Sequence, residues 1–238
     1  MKKVIIIGAT SGIGRELALL YAGLGCLVGV TGRRQELLYS LQLEYPNTVL
    51  TRCFDVRAAD ALSQLRALVG LMEGMDLFIY NAGYGEISRK LDGDIDLRTV
   101  ETNVSGFIRL VDFAYNFFER QGSGQLAAIS SVAALRGSDQ APAYSASKAF
   151  ISNYLEGLSL KARKAKLQLR VTDIRPGFVD TKMAEVPERF WVAPVQKAAR
   201  QIHRALEKKK AVAYVTRRWA LIGWMLKWIP GSLYRRIA

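Results

Sequence analysis

The sequence is poor in the side chains that build metal sites. Its 238 residues include two cysteines, Cys26 and Cys53, and one histidine, His203, and the three stand far apart in the chain. Structural metal sites need several such ligands at short spacings. We therefore expect no metal site and two reduced thiols.

Long apolar runs are also missing near the start of the chain. After Met1 and two lysines, the apolar run at 4–7 is four residues long and leads into glycine. A signal-peptide core needs about 7–15 apolar residues and a membrane helix about 20. The sequence therefore predicts a cytoplasmic protein without a leader or a membrane-spanning helix.

Acidic residues are scarce in the second half of the chain. Residues 1–120 contain 13 Lys+Arg and 14 Asp+Glu, which leaves 34 − 13 = 21 and 21 − 14 = 7 for residues 121–238. A basic half attracts polyanions, including nucleic acid, anionic lipid and phosphorylated metabolites. No nucleic-acid recognition motif accompanies the charge, so we do not expect a nucleic-acid partner.

Strand-like and helix-like patterns alternate along the chain. Strands are predicted at 3–7, 26–30, 48–53, 76–80, 125–130, 168–174 and 211–215, and helices at 12–23, 34–43, 59–70, 97–119, 143–164 and 194–208. The alternation predicts an α/β protein with a parallel sheet covered by helices on both faces, and the length suits one domain. Ligands of such sheets bind beyond the carboxyl ends of the strands.

A glycine-rich segment follows the first predicted strand. It reads Gly8-Ala-Thr-Ser-Gly12-Ile-Gly14 and leads into a predicted helix. Glycine allows a sharp turn and close approach of a ligand, and a helix N-terminus offers free N–H groups to a pyrophosphate. The spacing Gly-x-x-x-Gly-x-Gly differs from the commoner dinucleotide pattern Gly-x-Gly-x-x-Gly.

The end of the second predicted strand bears on the choice of cofactor. It reads Thr31-Gly32-Arg33-Arg34, without a carboxylate. An acidic residue there binds the ribose 2′-hydroxyl of NAD, whereas an arginine accommodates the 2′-phosphate of NADP. Arg33 is placed for a bidentate phosphate contact, and Arg34 is a second candidate. The alternative is that the two arginines only begin a solvated helix.

Tyr144 and Lys148 are four residues apart, and Ser131 precedes Tyr144 by thirteen. On a helix, one turn brings the phenol and the ammonium group to the same face, about 5–6 Å apart at Cβ. A nearby positive charge lowers the pKa of a phenol, which can then exchange a proton with an alcohol or a ketone. Only one of Ser130 and Ser131 faces the cleft if they continue a strand, and the spacing favours Ser131.

Taken in order, these motifs resemble the short-chain dehydrogenase/reductase family, in its standard-length branch with a Tyr-x-x-x-Lys active site. The matches between residues 4 and 181 are Gly8, Gly12 and Gly14, Asp55-Val56, Asn81-Ala82-Gly83, Asn103, Ile129-Ser130-Ser131, Tyr144 to Lys148, Pro176-Gly177 and Thr181. The resemblance implies a Rossmann-type, doubly wound parallel sheet of about seven strands. It also places Gly32 where NAD-preferring members carry aspartate.

The resemblance assigns catalytic roles to four residues. Tyr144 is the acid-base, and Ser131 holds and polarises the substrate oxygen. Lys148 binds the nicotinamide ribose and lowers the pKa of Tyr144, and Asn103 holds a water that links Lys148 to solvent. Two donors aimed at the oxygen that gains charge suit such a reaction.

The resemblance also implies a binding site for NADP(H). Its residues are Gly8, Thr10, Ser11, Gly12, Ile13, Gly14, Arg33, Arg34, Asp55, Val56, Asn81, Ala82, Gly83, Tyr144, Lys148, Pro176, Gly177, Val179 and Thr181. Asp55 would contact the adenine amino group, cap the following helix, or do both. Thr181 would bond the nicotinamide carboxamide or cap a short helix beginning near residue 182.

These assignments predict an NADPH-dependent oxidoreductase that interconverts a ketone or aldehyde and an alcohol by hydride transfer. The alternative is a non-catalytic NADP(H)-binding sensor or scaffold, although family members that lose catalysis tend to lose the tyrosine or the lysine. The residues expected to line the pocket suit a hydrophobic or amphiphilic small molecule. They are Tyr84, Ala133, Arg136, Phe178, Met183, Phe190 and Trp191.

One expectation concerns assembly, and another concerns the C-terminal tail. The helix at 97–119 carries more aromatic residues than one core-facing stripe needs, and family members commonly pair this helix and the one at 143–164 across a two-fold axis, so we expect a homodimer or homotetramer. Residues 1–215 form the catalytic domain, and 216–238 form a basic, aromatic tail. The tail either packs on the cleft or on a partner subunit, or lies at a membrane interface.

Overall fold

The computed structural model describes residues 1–87, 90–181 and 190–237. Within these ranges seven strands form one sheet: β1 (Lys3–Ile7), β2 (Leu27–Gly32), β3 (Val49–Cys53), β4 (Leu77–Tyr80), β5 (Ser123–Ile129), β6 (Gln168–Pro176) and β7 (Val212–Val215). Their order is β3-β2-β1-β4-β5-β6-β7, and neighbouring strands pair in parallel. The predicted doubly wound α/β fold is confirmed.

Helices cover both faces of this sheet. They are α1 (Gly12–Gly23), α2 (Gln35–Glu44), α3 (Ala61–Leu71), α4 (Gly93–Val100), α5 (Gly106–Gln121), α6 (Pro142–Lys164), α7 (Val195–Glu207), α8 (Arg218–Trp228) and α9 (Gly231–Ile237). A π-helical turn at Glu101–Ser105 joins α4 to α5, where the sequence predicted one helix at 97–119. Within the described ranges, no helix combines the length and apolar character that a membrane crossing requires.

The side chains of β1 alternate between two apolar layers, as the pleat of a strand requires. Ile5 and Ile7 lie in a core with residues of α3, α5 and α6, whereas Val4 and Ile6 lie in a core with residues of α1, α2 and α7. A strand buried on both faces needs apolar residues at every position, which explains the run of four. The polar residue of β1, Lys3, accordingly stands at the start of the strand.

The aromatic residues of α5 are absorbed by the protein's own core. Phe107, Tyr115 and Phe118 are buried, and Phe113 and Phe117 pack against the same core while partly exposed. Phe107 also makes an edge-to-face contact with Tyr80 at 5.3 Å between ring centroids. Aromatic content therefore does not argue for assembly, and the homodimer or homotetramer stays a prediction.

Candidate active site

The strand order reverses between β1 and β4, and the glycine-rich turn after β1 lies at this point. Asn81, which follows β4, donates from Nδ2 to the carbonyl oxygen of Gly8 at 2.6 Å. At Gly8, whose φ is +86°, a Cβ would lie 2.7 Å from the Cα of Ala82, and at Gly14 it would lie 2.2 Å from the Gly8 oxygen. The turn closes only with glycine, at the place where α/β sheets bind ligands.

The N-terminus of α1 faces this point. The first-turn N–H groups of a helix have no intrahelical partner, and the Ser11 side chain does not cap them. The loop after β6 approaches from the other side, because Thr181 Cγ2 lies 3.0 Å from where a Cβ of Gly12 would stand. Free N–H groups at a helix terminus without a Cβ in front of them fit the pyrophosphate of a dinucleotide.

Two arginines border this cradle at the end of β2. Arg34 Nη2 donates to Thr10 Oγ1 at 2.6 Å and to Ser11 Oγ at 2.8 Å. The Arg33 side chain is 54% exposed, and its Nη1 lies 3.7 Å from Asp55 Oδ2. A Cβ at Gly32 would lie 2.4 Å from Thr10 Cγ2, so an aspartate there would displace Thr10. The site therefore offers positive charge where the adenosine ribose would lie.

Asp55 does not cap the helix that follows, which was one of its two expected roles. Its Oδ1 accepts from the Arg57 backbone N–H at 3.0 Å, its Oδ2 accepts from Arg57 Nη2 at 2.8 Å, and α3 begins only at Ala61. Burial raises the pKa of Asp55, but the hydrogen bonds and charge of Arg57 outweigh it, so the pKa lies below its usual value. Val56 is buried behind it against Gly106.

Ser131, Tyr144 and Lys148 meet beyond the carboxyl end of β5. Ser131 begins the 3₁₀ turn that follows β5 and hydrogen-bonds to the Tyr144 side chain, and Lys148 Nζ lies 5.6 Å from the centroid of the Tyr144 ring. Ser130 turns away into the core, where its hydroxyl donates to Asp173 and to the Ile174 carbonyl oxygen at 3.1 Å. Ser131 is therefore the serine on the tyrosine side.

Burial sets the protonation of Tyr144 and Lys148. Burial raises the pKa of Tyr144, whereas the hydrogen bond with Ser131 lowers that pKa. Lys148 is 3% exposed, its Nζ donates to the Ile129 carbonyl oxygen at 2.8 Å, and burial lowers its pKa to about 8 against the charge of Asp173. The expected lowering of the Tyr144 pKa by Lys148 is not seen, because loss of hydration of the phenolate dominates.

Asn103 lies in the π-helical turn, a distortion often found at functional sites. Its Nδ2 donates to the Tyr84 carbonyl oxygen at 2.7 Å and to Ser147 Oγ at 2.9 Å, and its Oδ1 accepts from the Tyr84 N–H at 2.8 Å. Ser147 in turn donates to the Tyr144 carbonyl oxygen at 2.7 Å. Both amide hydrogens are used, so the side chain ties the loop after β4 to α6, and it has no N–H left for the expected water.

The loop after β6 carries the remaining predicted cofactor residues. Pro176 ends β6, the Gly177 N–H donates to the Val215 carbonyl oxygen at 2.7 Å, and Val179 is buried and bridges to Ala193. Asn81, Ala82 and Gly83 occupy the neighbouring loop after β4. The predicted cofactor residues thus lie along one edge of the sheet, from Arg33 to Thr181.

Three of the expected pocket residues form an aromatic cluster. Phe178, Phe190 and Trp191 each contact Trp219 of α8, with ring centroids 5.5, 5.2 and 6.3 Å away. Trp219 is buried above Gly177, where a Cβ would meet its ring at 2.0 Å. Trp219 belongs to the predicted tail, whose expected placements included packing on the cleft, and it lies on the loop after β6.

The other expected pocket residues lie in different surroundings. Arg136 fixes the end of α8, because its Nε donates to the Leu226 carbonyl oxygen at 2.8 Å and its Nη2 donates to that of Ile229. Ala133 donates its N–H to Ser131 Oγ at 3.1 Å. The Tyr84 hydroxyl donates to Glu86, and Met183 lies outside the described residues, as does the helix expected near residue 182.

Gly85 is a site residue that no pattern in the sequence indicates. A Cβ there would lie 2.3 Å from Tyr144 Cδ2, so the tyrosine ring occupies the space that a side chain would fill. We expect Gly85→Ala to displace the phenol from Ser131 and to lower kcat at least about tenfold, since small misplacements of catalytic groups are costly. Dinucleotide binding should persist, as measured by fluorescence titration.

The matched control is Gly157→Ala on the same helix as Tyr144. A Cβ at Gly157 meets nothing within 4 Å. This variant should keep wild-type turnover, and equal turnover of Gly85→Ala and wild type would contradict the contact between Gly85 and the tyrosine ring.

Comparisons with known proteins agree with this geometry. The family model described as short chain dehydrogenase matches residues 2–189. An uncharacterized oxidoreductase of Mycobacterium tuberculosis is 30% identical over 248 residues, covering 100% of this chain and 97% of that protein. One of Myxococcus xanthus is 36% identical over 188 residues, covering 76% and 74%.

A crystal structure of a short chain dehydrogenase from Bacillus anthracis has the same fold. Its TM-score is 0.82 with 22% identity, over 90% of this chain and 94% of that chain. The fold and the family match together define the class of this protein, an α/β oxidoreductase. The chain belongs to the short-chain dehydrogenase/reductase family, whose members use NAD(P)(H).

Proposed function

We propose that this protein is an NADPH-dependent oxidoreductase that interconverts a ketone or aldehyde and an alcohol, with Tyr144 as the acid-base. The observation that carries the proposal is the meeting of Ser131, Tyr144 and Lys148 beyond the carboxyl end of β5, beside the glycine cradle. Bound NADPH would supply the hydride. The protein's part is to hold the carbonyl, stabilise its oxygen and deliver a proton.

The protonation of the site suits proton transfer to a carbonyl oxygen. Burial raises the pKa of the Tyr144 phenol, which therefore keeps its proton at neutral pH. A carbonyl oxygen that gains negative charge needs a protonated donor, and the Tyr144 and Ser131 hydroxyl groups interact with each other in this site. Ser131 would orient the oxygen, and Tyr144 would transfer the proton.

Lys148 and Asn103 support the tyrosine in this proposal. Lys148 would hold the nicotinamide ribose and keep a positive charge near the phenol as it loses its proton. Asn103 acts through Ser147, which binds the Tyr144 carbonyl oxygen at 2.7 Å and so fixes the start of α6. A water that relays protons to Lys148 would need a partner other than the Asn103 amide hydrogens.

A non-catalytic NADP(H)-binding sensor or scaffold is the second candidate. Both functions need the cradle, but only an enzyme needs the phenol beside Ser131. The proposal is tested by following NADPH oxidation with ketones, aldehydes, and oxidised sugars and lipids. Cofactor binding without turnover of any carbonyl class would favour the sensor or scaffold.

We expect NADPH to bind more tightly than NADH, because Arg33 and Arg34 border the ribose site and Gly32 carries no carboxylate. A charge-assisted contact with the 2′-phosphate contributes about 1.5–3 kcal/mol, or roughly 10- to 150-fold in Kd. Arg33→Ala should weaken NADPH by this factor and leave NADH unchanged, as measured by titration of each cofactor.

Two further variants sharpen this test. Arg34→Ala tests whether Arg34 also contributes to phosphate binding, since Arg34 donates hydrogen bonds to Thr10 and Ser11. Arg66→Ala, on α3 against Phe113, is the control and should change neither affinity. Equal affinity of the wild type for NADPH and NADH would overturn the proposed preference.

A further inference from the structure

The two faces of α8 have opposite surroundings. Its inner face is formed by Trp219, buried above Gly177, and by Gly223, where a Cβ would lie 2.6 Å from the Tyr214 ring. Its outer face carries large apolar side chains at the spacing i, i+3, i+4, i+7, which places them in one stripe. Their exposed fractions are 59% for Leu221, 61% for Trp224, 45% for Met225 and 73% for Trp228.

This exposure does not come from a loosely attached tail. Arg136 donates to the carbonyl oxygens of Leu226 and Ile229 at the end of α8, and its guanidinium lies 5.4 Å from the Tyr234 ring centroid. The Tyr234 hydroxyl donates to the Gly137 carbonyl oxygen at 2.7 Å. The protein thus fixes the helix at both ends and holds its apolar stripe toward solvent.

The charged residues of α8, α9 and the segment that leads into them are of one sign. Residues 208–238 contain eight Lys or Arg and no Asp or Glu. Five of the basic residues lie on α8, at its start or on α9: Arg217, Arg218, Lys227, Arg235 and Arg236. Exposed tryptophans flanked by arginine and lysine are typical of helices that lie in the headgroup region of a bilayer, and a single-sign basic rim is complementary to anionic lipid.

We propose that the outer face of α8, with the basic residues around it, docks this protein on the surface of a membrane that contains anionic lipid. Leu221, Trp224, Met225 and Trp228 enter the interface, and the arginines and lysines bind lipid headgroups. The tail therefore does both things that the sequence left as alternatives, with opposite faces of one helix. The family model ends at residue 189, so this surface lies outside the part of the chain that the family match covers.

A second copy of this chain fits the stripe less well than lipid does. Two copies meeting through α8 would bring two rims of like charge together without an acidic residue from 208–238 on either side. Like charges at close range oppose association, whereas an anionic lipid surface attracts the same basic residues. Charge therefore favours lipid over self-association.

Docking through α8 would also orient the enzyme. Trp219 and Trp224 are on opposite faces of the same short helix, and Trp219 contacts Phe178 beside the carboxyl edge of the sheet. The aromatic cluster thus lies one helix away from the docked surface. Membrane binding itself requires neither cofactor nor substrate, so its test is independent of the proposed reaction.

The experiment is co-sedimentation of the full chain with vesicles of phosphatidylcholine alone or with about 30% phosphatidylserine. We expect binding to the anionic vesicles and its loss at high salt, where a Debye length of about 3 Å screens the charges. The double variant Trp224→Ser/Trp228→Ser should lower the partition coefficient at least about tenfold. Lys227→Gln/Arg235→Gln/Arg236→Gln should weaken binding to anionic vesicles only.

The matched control is Leu24→Ser/Leu71→Ser, which removes exposed apolar side chains from a different part of the surface. It should bind vesicles as the wild type does. An unchanged thermal midpoint shows that each variant is folded.

The proposal is overturned if the wild type does not sediment with anionic vesicles at low salt, or if the tryptophan variant sediments equally well. A fall in molar mass of the tryptophan variant by light scattering, without vesicle binding by the wild type, would assign the stripe to a partner protein chain.

Discussion

Tyr144→Phe is expected to lower kcat for carbonyl reduction at least about 10²-fold, the factor typical of lost acid-base catalysis. The substitution removes the hydroxyl that hydrogen-bonds to Ser131 and leaves the ring in the space beside Gly85. Because packing is preserved, NADPH affinity and thermal stability should change little. Turnover by absorbance at the nicotinamide band and cofactor titration separate the two effects.

Tyr154→Phe is the matched control for this prediction. It removes a phenol from the same helix, where the Tyr154 hydroxyl donates to Asp112 Oδ1 at 2.6 Å, away from the carboxyl edge of the sheet. This variant should keep its turnover. Full turnover of Tyr144→Phe on a good substrate would remove Tyr144 from the mechanism.

The strands and the glycine turn could be predicted from the sequence because their causes are local. The apolar run of β1 must be buried on both faces of a sheet, and helix α1 begins at the predicted residue, Gly12. The spacing of Tyr144 and Lys148 needed only one helical turn. In each case the physical requirement lies within a few neighbouring residues, so a single sequence displays it.

The parts that could not be predicted depend on contacts between distant segments. Gly85 matters because Tyr144 packs over it, 59 residues later (144 − 85), and no pattern near Gly85 shows this. Arg136 has a charge that suits a pocket, but it binds carbonyl oxygens that become available only where α8 ends. The pKa of Tyr144 was expected to follow the charge of Lys148, whereas burial, a property of the whole fold, dominates.

Lys148→Met is expected to lower kcat for carbonyl reduction at least about 10²-fold. At neutral pH the variant should nevertheless be at least as stable to unfolding as the wild type. Burial lowers the pKa of Lys148 from 10.5 to about 8, so folding with this ammonium group charged costs about 3 kcal/mol. Methionine has a similar shape without the charge. It forfeits the hydrogen bond to the Ile129 carbonyl oxygen, which offsets about 1–3 kcal/mol of the gain.

The pH dependence gives this prediction its sign. Between pH 8 and 10.5 the unfolded chain binds a proton at Lys148 that the folded protein does not, so wild-type stability gains with rising pH from this group. The variant lacks that gain. Its stability relative to the wild type should therefore be greatest below pH 8 and decline steadily above it, as measured by urea unfolding at neutral and alkaline pH. The comparison cancels the contributions of all other groups.

Lys164→Met, an exposed position at the end of the same helix, should show no such trend. Parallel stabilities of Lys148→Met and wild type across this window would show that Lys148 is not held against its charge, and its place in the site would need another explanation.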